Sequence, residues 1–429
     1  MGDSDCHKSV PFHKAVLGQL NSERFFDKRY IGRTVMKKIN RRDFLLWSAA
    51  VASTALDPGI CASFSGDKKG IPPGLEDIRG RIFKGDAPHK LWKWSHEGYL
   101  YNKLAGKKVA CGICPNRCVL APGDRSVCRS KVNLEGVLYS LSYGNPCAVN
   151  VDPIEKKPLF HFKPRSKAFS IAAAGCNFRC LNCQNWEISQ SRPEDVRTYE
   201  LFPAQVVEEA LRSRAASIAY TYSEATTFFE YMIDTAGIAK GKGLSNLWIS
   251  NGYINTPPLL DLCEVLAAAN INLKSFDDAT YRKLNGGRLA PVLRTLKTLH
   301  DKHVHFEITT LAVPGYVDDE KMIKDMCLWI LENLGPDYPM HFLRFFPKYK
   351  LDRLSPTPLS VLTRFRDIAM QQGIRYVYIG NIPNHDAGNT FCHNCGKLLI
   401  ERKGYAITAY HLNGNQCRFC NTRIPGVWT

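Results

Sequence analysis

Cysteine is the residue that most constrains how this chain can fold. Sixteen cysteines occur among 429 residues, and most of them fall into three sets whose spacings are those of metal ligands. Disulfide frameworks are typical of short secreted chains that lack a core, whereas 45% of these residues are hydrophobic. The composition excludes a disordered or fibrous chain. We therefore predict a metalloprotein that is assembled in a reducing cytoplasm.

From residue 166 onward, short apolar runs alternate with amphipathic helical patterns. The predicted strands are Ala168–Ala174, Ser217–Tyr222, Asn246–Ser250, Ile271–Ser275, His305–Leu311, Met340–Phe345 and Arg375–Tyr378. The predicted helices are Pro203–Ser213, Ala225–Ala239, Pro258–Ala268, Pro291–Lys302, Asp319–Glu332 and Pro358–Gln372. This alternation predicts an α/β fold with βα units on a parallel sheet, in an open or partial barrel. We expect four parts: an extension (1–62), a linker and cysteine-rich region (63–165), the α/β region (166–388) and a four-cysteine segment (389–429).

The most specific cysteine set is Cys176-x3-Cys180-x2-Cys183, directly after the first predicted strand. The carboxyl ends of parallel strands are the functional face of such folds. A structural zinc site normally has four ligands, while a four-iron cluster held by three cysteines keeps one iron open. We predict a [4Fe-4S] cluster here, and the alternative is a zinc site with a distant fourth ligand.

The pattern around these cysteines resembles the radical S-adenosylmethionine (SAM) enzymes. The segments that carry the resemblance are DPIEKKPLFHF, AAGCNFRCLNCQNWEISQ, AYTYSEATTFFEY, SNGYI, LKSF, PVLRTL, RFFPKYKL and YVYIGNIP. Within the superfamily they resemble the subgroup of the AmmeMemoRadiSam system, which is related to the pyruvate formate-lyase activating enzymes. The resemblance implies a partial (β/α)6 barrel. It also implies that SAM binds the open iron, is cleaved after a one-electron reduction, and yields a 5′-deoxyadenosyl radical that abstracts hydrogen.

The same resemblance implies a set of SAM-binding residues at successive strand ends. A segment with Tyr222 and Glu224 corresponds to the one that contacts the methionine amine. The third strand end is expected to approach the ribose or the carboxylate, and the fourth to supply a positive charge; these residues are Ser250, Asn251, Gly252 and Lys274. Glu307, on the fifth predicted strand, is expected to point inward and to pair with Lys274 or Arg344.

Two further cysteine sets flank this region. Cys392-x2-Cys395 and Cys417-x2-Cys420 lie in a segment with few apolar residues, which indicates a zinc ribbon whose metal replaces a core; a second iron–sulfur cluster is the alternative. The amino-terminal set is predicted to bind a metal, as zinc or as an auxiliary cluster, because its spacing is irregular for zinc and also suits a cluster; a thiol-rich loop is the alternative. Its members are Cys111, Cys114, Cys118 and Cys128.

Net charge and the amino-terminal sequence bear on partners and location. The net charge of +17 favours anionic partners, so a metal-containing protein that binds or modifies RNA is the opposing hypothesis. The stretch MKKINRRDFLLWSAAVASTAL from Met36 resembles a twin-arginine export leader. We therefore predict cytoplasmic assembly, with export by that path as an alternative.

The resemblance also implies partner proteins. A reductant such as flavodoxin or ferredoxin would supply the electron, and Memo-like and AMMECR-like proteins would accompany the enzyme. The substrate is either a protein or a small molecule. A narrower hypothesis is an activase that installs a glycyl radical on a partner protein.

Overall fold

The computed structural model describes residues 94–382 and 385–428. These residues fall within one compact unit. The predicted export leader, the extension 1–62 and the first part of the linker lie outside the described residues. No helix in the described part of the chain is long and apolar enough to cross a membrane.

The described chain begins with two small antiparallel sheets that carry the amino-terminal cysteines. Their strands are β1 (His96–Glu97), β2 (Tyr101–Leu104), β3 (Lys108–Cys111), β4 (Val119–Leu120), β5 (Lys131–Leu134) and β6 (Val137–Ser140). One sheet has the order β1-β6-β5 and the other has the order β2-β3-β4. The predictions gave no strands in this region, because the strands are too short to show a periodic pattern.

An eight-stranded sheet forms the centre of the molecule. Strand β7 (Ala148–Pro153) lies antiparallel at one edge, and seven parallel strands follow in sequence order across the sheet. They are β8 (Lys167–Ala172), β9 (Ser217–Tyr220), β10 (Ser245–Ser250), β11 (Ala268–Asn272), β12 (His305–Ala312), β13 (Met340–Arg344) and β14 (Val377–Gly380). The predicted α/β fold with a parallel sheet is confirmed, and the antiparallel edge strand was not predicted.

Seven α-helices of four or more residues lie between these strands in the described chain. They are α1 (Trp186–Ser189), α2 (Pro203–Arg212), α3 (Phe229–Gly241), α4 (Thr256–Cys263), α5 (Leu289–Asp301), α6 (Glu320–Asn333) and α7 (Leu359–Gln372). In α6, the side chain of Asp319 caps the first turn by accepting a hydrogen bond from the Met322 amide at 2.8 Å. Helix α7 ends at Gly373, whose φ of 112° suits glycine. Apolar side chains of these helices pack on the sheet and form the main core.

One predicted boundary is wrong. The helix predicted over Pro258–Ala268 ends at Cys263, and the next strand begins at Ala268 rather than at Ile271. Alanine favours helix in isolation, but Ala268 and Ala269 pair with strands on both sides and are fully buried. Lys274 therefore lies two residues beyond the end of β11.

The carboxy-terminal segment packs near the amino ends of the parallel strands. Its strands are β15 (Thr390–Phe391), β16 (Leu398–Lys403), β17 (Ala406–Tyr410), β18 (Leu412–Asn413) and β19 (Gln416–Cys417). Cys392, Leu399 and Ile400 share a buried cluster with Tyr376 and Tyr378. The segment thus has a core in common with the central sheet.

The partner predicted for Glu307 is also wrong. Its carboxylate accepts hydrogen bonds from His341 Nε2 at 2.6 Å and from the His161 amide at 2.7 Å. Glu307 lies near the amino end of β12, whereas Lys274 lies beyond the carboxyl end of β11. The two side chains therefore belong to opposite edges of the sheet.

Candidate functional site

The loop after β8 brings Cys176, Cys180 and Cys183 together at the carboxyl edge of the sheet. Gly175 begins this loop with a φ of +107°, and a Cβ atom there would stand 2.4 Å from the Cys128 carbonyl oxygen. The Gly175 amide donates to the Ile188 carbonyl oxygen at 2.9 Å, which closes the loop against α1. A glycine is therefore required where the loop passes the amino-terminal cysteine region.

The three thiols differ from the carboxy-terminal cysteines in their spacing and have nearby hydrogen-bond donors. Their sulfur atoms do not all lie within 4.8 Å of one another, unlike those of the four carboxy-terminal cysteines. The Phe178 amide donates to Cys176 Sγ and Asn285 Nδ2 donates to Cys180 Sγ, each at 3.3 Å. Donors of this kind stabilise thiolates and tune iron–sulfur clusters. These donors and the position of three thiols on one loop are compatible with a cluster held by three cysteines.

Burial disfavours the thiolate forms of Cys176 and Cys183 when no cationic group is bound. It raises the pKa of Cys176 well above the usual value of a thiol, and the nearby carboxylate of Glu224 raises it further. Burial also raises the pKa of Cys183, against the opposing effect of Lys274. Metal ligation deprotonates such thiols and supplies the missing positive charge.

A pocket of about 290 Å³ opens beside the three cysteines. Its walls are formed by the carboxyl ends of successive parallel strands, so the predicted residues converge there. Five of the six predicted SAM-binding residues line it: Tyr222, Glu224, Ser250, Asn251 and Lys274. Most of the remaining polar lining is amide, from Asn182, Gln184, Asn185, Asn270, Asn272, Asn285 and Asn381.

Gly252 is the predicted residue that does not line the pocket. Its φ is +68°, and a Cβ atom there would stand 2.9 Å from Ile271 Cγ2. Its carbonyl oxygen accepts a hydrogen bond from Thr295 at 2.7 Å. Gly252 therefore shapes the turn that presents Ser250 and Asn251.

Glu224 ties two strand ends together inside the pocket. Its Oε1 accepts from Ser250 Oγ at 2.7 Å and from Thr226 Oγ1 at 2.6 Å. Its Oε2 accepts from the Asn251 amide at 2.9 Å and has room for another donor. The carboxylate is buried, and these donors fix its position at the site.

Tyr222 is held by two residues that the sequence analysis did not assign. Its φ is +65°, which is uncommon for a residue other than glycine. Its hydroxyl donates to Asp152, and Lys157 Nζ lies 4.5 Å from the ring centroid and 2.5 Å from Asp152 Oδ2. Burial lowers the pKa of Lys157 to about 8. Burial acts to raise the pKa of Asp152, but Lys157 and the other donors outweigh it and hold that pKa well below its usual range.

The four carboxy-terminal cysteines form the tightest cluster of ligand atoms in the described chain. Cys392, Cys395, Cys417 and Cys420 have sulfur atoms that all lie within 4.8 Å of one another. Two of the sulfur–sulfur distances are 3.6 and 3.7 Å, for Cys392–Cys420 and Cys395–Cys417. A tetrahedron with metal–sulfur bonds of about 2.3 Å has edges of about 3.8 Å. The geometry fits one tetrahedral ion.

The amino-terminal cysteines also come together, but less tightly. Cys111 ends β3, and Cys111, Cys118 and Cys128 all act on the thiol of Cys114, whose pKa is raised first by burial and then by these neighbours. Cys128 Sγ lies 3.0 Å from Ser126 Oγ and 3.2 Å from Ser130 Oγ. No three of these sulfur atoms lie within 4.8 Å of one another.

This amino-terminal set lies against the loop of Cys176, which the sequence did not predict. Asn116 Nδ2 donates to the Asn177 carbonyl oxygen at 2.8 Å, and the Cys128 carbonyl oxygen contacts Gly175. Asn116 is the residue in the sequence that makes this contact. An asparagine in a loop is common for other reasons, so it could not have predicted the contact.

Comparisons with known proteins agree with this site. Residues 170–327 match the Radical SAM superfamily. An uncharacterized protein of Methanocaldococcus jannaschii is 43% identical over 335 residues, which cover 77% of this chain and 99% of that protein. The pyruvate formate-lyase 1-activating enzyme of Escherichia coli K12 is 24% identical over 218 residues, or 48% of this chain and 89% of that enzyme. A radical SAM methyltransferase structure from Sphaerobacter thermophilus covers 55% of this chain and 71% of its own, at 14% identity and a TM-score of 0.40.

Proposed function

Because this chain belongs to the Radical SAM superfamily, we propose that it is an enzyme that reductively cleaves SAM at a [4Fe-4S] cluster held by Cys176, Cys180 and Cys183. The observation that carries the proposal is the position of the three thiols, on one loop beside a pocket with a fixed carboxylate and a lysine. When bound, the cluster would supply one electron to the sulfonium, whose C–S bond would break to give methionine and a 5′-deoxyadenosyl radical that abstracts hydrogen from the substrate.

The protein's own residues would bind and orient the zwitterionic methionine part of SAM. Glu224 Oε2 has capacity for a donor such as the amine, and the Lys274 ammonium would attract the carboxylate. Ser250 and Asn251 are fixed by Glu224 on the same wall of the pocket. Because these groups are partly or fully buried, the contacts they make with a bound ligand would exclude water.

The finer features belong to the same proposal. We propose that the central sheet curves into a partial (β/α)6 barrel, that the carboxy-terminal cysteines bind zinc, and that the amino-terminal cysteines bind a second metal or cluster. The sulfur distances of 3.6 and 3.7 Å support a zinc ribbon. Assembly would take place in the cytoplasm, where iron–sulfur clusters and thiols are kept reduced, with export by the twin-arginine path as the alternative.

A protein substrate is the second part of the proposal. The similarity to the pyruvate formate-lyase 1-activating enzyme, over 89% of that enzyme, supports an activase that acts on a partner protein. Membership of the AmmeMemoRadiSam subgroup, with its Memo-like and AMMECR-like partners, rests on the sequence motifs. RNA modification is the competing function, and it would show as tRNA binding at moderate salt.

The test is anaerobic reconstitution followed by reduction with dithionite. We expect the protein to convert SAM to 5′-deoxyadenosine, and each of the variants Cys176→Ala, Cys180→Ala and Cys183→Ala to lose this activity because the cluster loses a ligand. Cys263→Ala is the matched control, since Cys263 lies in α4 outside all three sets. Cleavage at the wild-type rate in the three variants would refute the assignment.

A further inference from the structure

A concave surface lined by arginines lies apart from the pocket beside the three cysteines. It has a volume of about 690 Å³, and we call it the arginine hollow after Arg117, Arg282, Arg288 and Arg294. No Asp or Glu lines it among the described residues. All four arginines are exposed, and only Arg282 forms an ion pair in the described chain, with Asp278 at 2.8 Å. The hollow thus presents positive charge to solvent.

The walls of the hollow adjoin two cysteine sets along the chain. One wall is the loop Pro115–Arg117, which connects Cys114 to Cys118. The opposite wall begins at Gly286, directly after Asn285, whose Nδ2 donates to Cys180 Sγ at 3.3 Å. One side chain therefore spans the distance from the wall of the hollow to a predicted cluster ligand.

The two walls are also joined to each other behind the hollow. Gly287 lies against the Phe178 ring, where a Cβ atom would stand 2.2 Å from Cε1. Asn116 Nδ2 donates to the Asn177 carbonyl oxygen, next to Cys176. These contacts fix the walls relative to the three-cysteine loop.

We propose that the arginine hollow is the docking surface for an acidic one-electron carrier protein. The proposal rests on the proposed function, because it gives the route by which the electron enters. The carrier loses one electron and the cluster gains it; no bond forms or breaks in this step. Docking here places the carrier against the loop between Cys114 and Cys118 and against Gly286, which follows the Cys180 donor Asn285 in the chain.

Charge and surface chemistry favour a protein carrier over nucleic acid. Unpaired arginines around a hollow complement a carboxylate-rich surface and steer its approach. Proteins that bind single-stranded nucleic acid add exposed aromatic rings on which bases stack. The aromatic side chain of the hollow, Tyr253, is only 3% exposed. RNA binding is therefore an outcome of the test rather than the proposal.

The experiment compares two charge reversals that change the net charge equally. The test variant carries Arg288→Glu and Arg294→Glu. The matched control carries Lys167→Glu and Lys242→Glu, two exposed lysines that adjoin the amino ends of β8 and β10. Oxidised flavodoxin is the binding probe, and reduced flavodoxin and dithionite are the two electron donors. Arg288→Gln with Arg294→Gln is a milder variant should the reversal disturb folding.

We expect the test variant to bind flavodoxin about tenfold more weakly at low salt, and the difference to shrink as salt is raised. Cluster reduction by flavodoxin should slow by a similar factor, while SAM cleavage driven by dithionite stays at the wild-type rate. The control variant should match the wild type in both assays.

Equal flavodoxin binding by the wild type and the test variant would overturn the proposal. So would a test variant that loses tRNA binding while it still binds flavodoxin like the wild type. Failure of SAM cleavage with dithionite in the wild type would instead refute the proposed function. The binding measurement still decides whether the hollow docks an acidic protein in that case.

Discussion

Lys274 and Glu224 place an ammonium and a carboxylate group in the pocket beside the three cysteines. The Glu224 carboxylate is fixed by protein donors on both oxygens. The Lys274 ammonium has no hydrogen-bond or ion-pair partner within the described residues, and it lies close enough to Cys183 to lower the pKa of that thiol against burial. A zwitterionic ligand would therefore find one prearranged charge and one free to move toward it.

Replacing Lys274 with Met tests that charge. The variant keeps most of the side chain's length while it removes the ammonium, so we expect the iron content to stay normal. A charge-assisted contact contributes about 1.5–3 kcal/mol, and we expect SAM affinity to fall by about ten- to a hundredfold. Titration calorimetry on the reconstituted protein measures the affinity. Lys283→Met is the control, because Lys283 is exposed and does not line the pocket; equal affinities in both variants would contradict the assignment.

Individual residues also show what could be predicted from the sequence. The resemblance to the radical SAM enzymes predicted six SAM-binding residues at strand ends, and five of them line one pocket because parallel strands end at a common edge. Tyr222 is held by Asp152 and Lys157. Asp152 lies in the antiparallel edge strand β7, and Lys157 lies shortly after it. To predict this contact, one would need the direction of β7 and a pairing between residues 70 positions apart in the chain. A local sequence pattern gives neither.

Among the elements, the joint between the carboxy-terminal segment and the central sheet contains several buried polar contacts. His161 Nδ1 lies 2.6 Å from the Pro425 carbonyl oxygen, so it donates there, and Nε2 accepts from the Tyr378 hydroxyl at 2.7 Å. Arg402 donates to the Phe160 carbonyl oxygen at 2.9 Å and to Thr390 Oγ1 at 2.8 Å. Burial of the ring disfavours its charged form, so the joint favours a neutral His161.

The preference for a neutral His161 predicts that the joint is destabilised by acid. Burial lowers the pKa of His161 from its usual value of about 6.5 to about 3, so between these values the unfolded state binds a proton that the folded state does not. The neutral histidine's contribution to stability is complete above pH 6.5 and is lost as the pH falls toward 3. Between pH 6.5 and pH 5 the loss is about 2 kcal/mol for a single site.

The comparison of His161→Gln with the wild type isolates this effect. Glutamine does not titrate, so we expect the variant to be less stable at pH 7 and to lose less stability between pH 6.5 and pH 5. Thermal unfolding midpoints across that range measure the difference. His303→Asn is the control, since His303 is exposed and its replacement should leave the wild-type pH dependence unchanged. An identical pH profile for His161→Gln would show that the joint does not depend on a neutral histidine.

For the whole molecule, the structure places the cysteine sets at two ends of the central sheet. The amino-terminal set lies beside the three-cysteine loop at the carboxyl edge, while the ribbon packs near the amino ends of the strands. The sequence predicted the sets and the metal type that their spacing favours. It did not predict their relative positions, because those depend on contacts between segments far apart in the chain, such as Asn116 with Asn177.

The ribbon's position decides how loss of its metal should affect the protein. We expect Cys392→Ser or Cys417→Ser to remove about one zinc per chain, because each leaves three ligands for a site that needs four. The buried cluster of Tyr376, Tyr378, Leu399 and Ile400 belongs to the sheet and the ribbon together. Unfolding should therefore remain a single transition with a lower midpoint, since the loss of ribbon structure exposes part of the core of the sheet.

The iron at the three-cysteine site should survive in these variants below the new midpoint, because its ligands lie at the opposite edge of the sheet. Metal analysis and calorimetric unfolding of the anaerobically purified protein check both expectations. Cys263→Ser makes the same chemical change in α4 and should leave the zinc content intact. A separate low-temperature transition would mean that the ribbon folds independently, and loss of iron in place of zinc would make the ribbon a second cluster site.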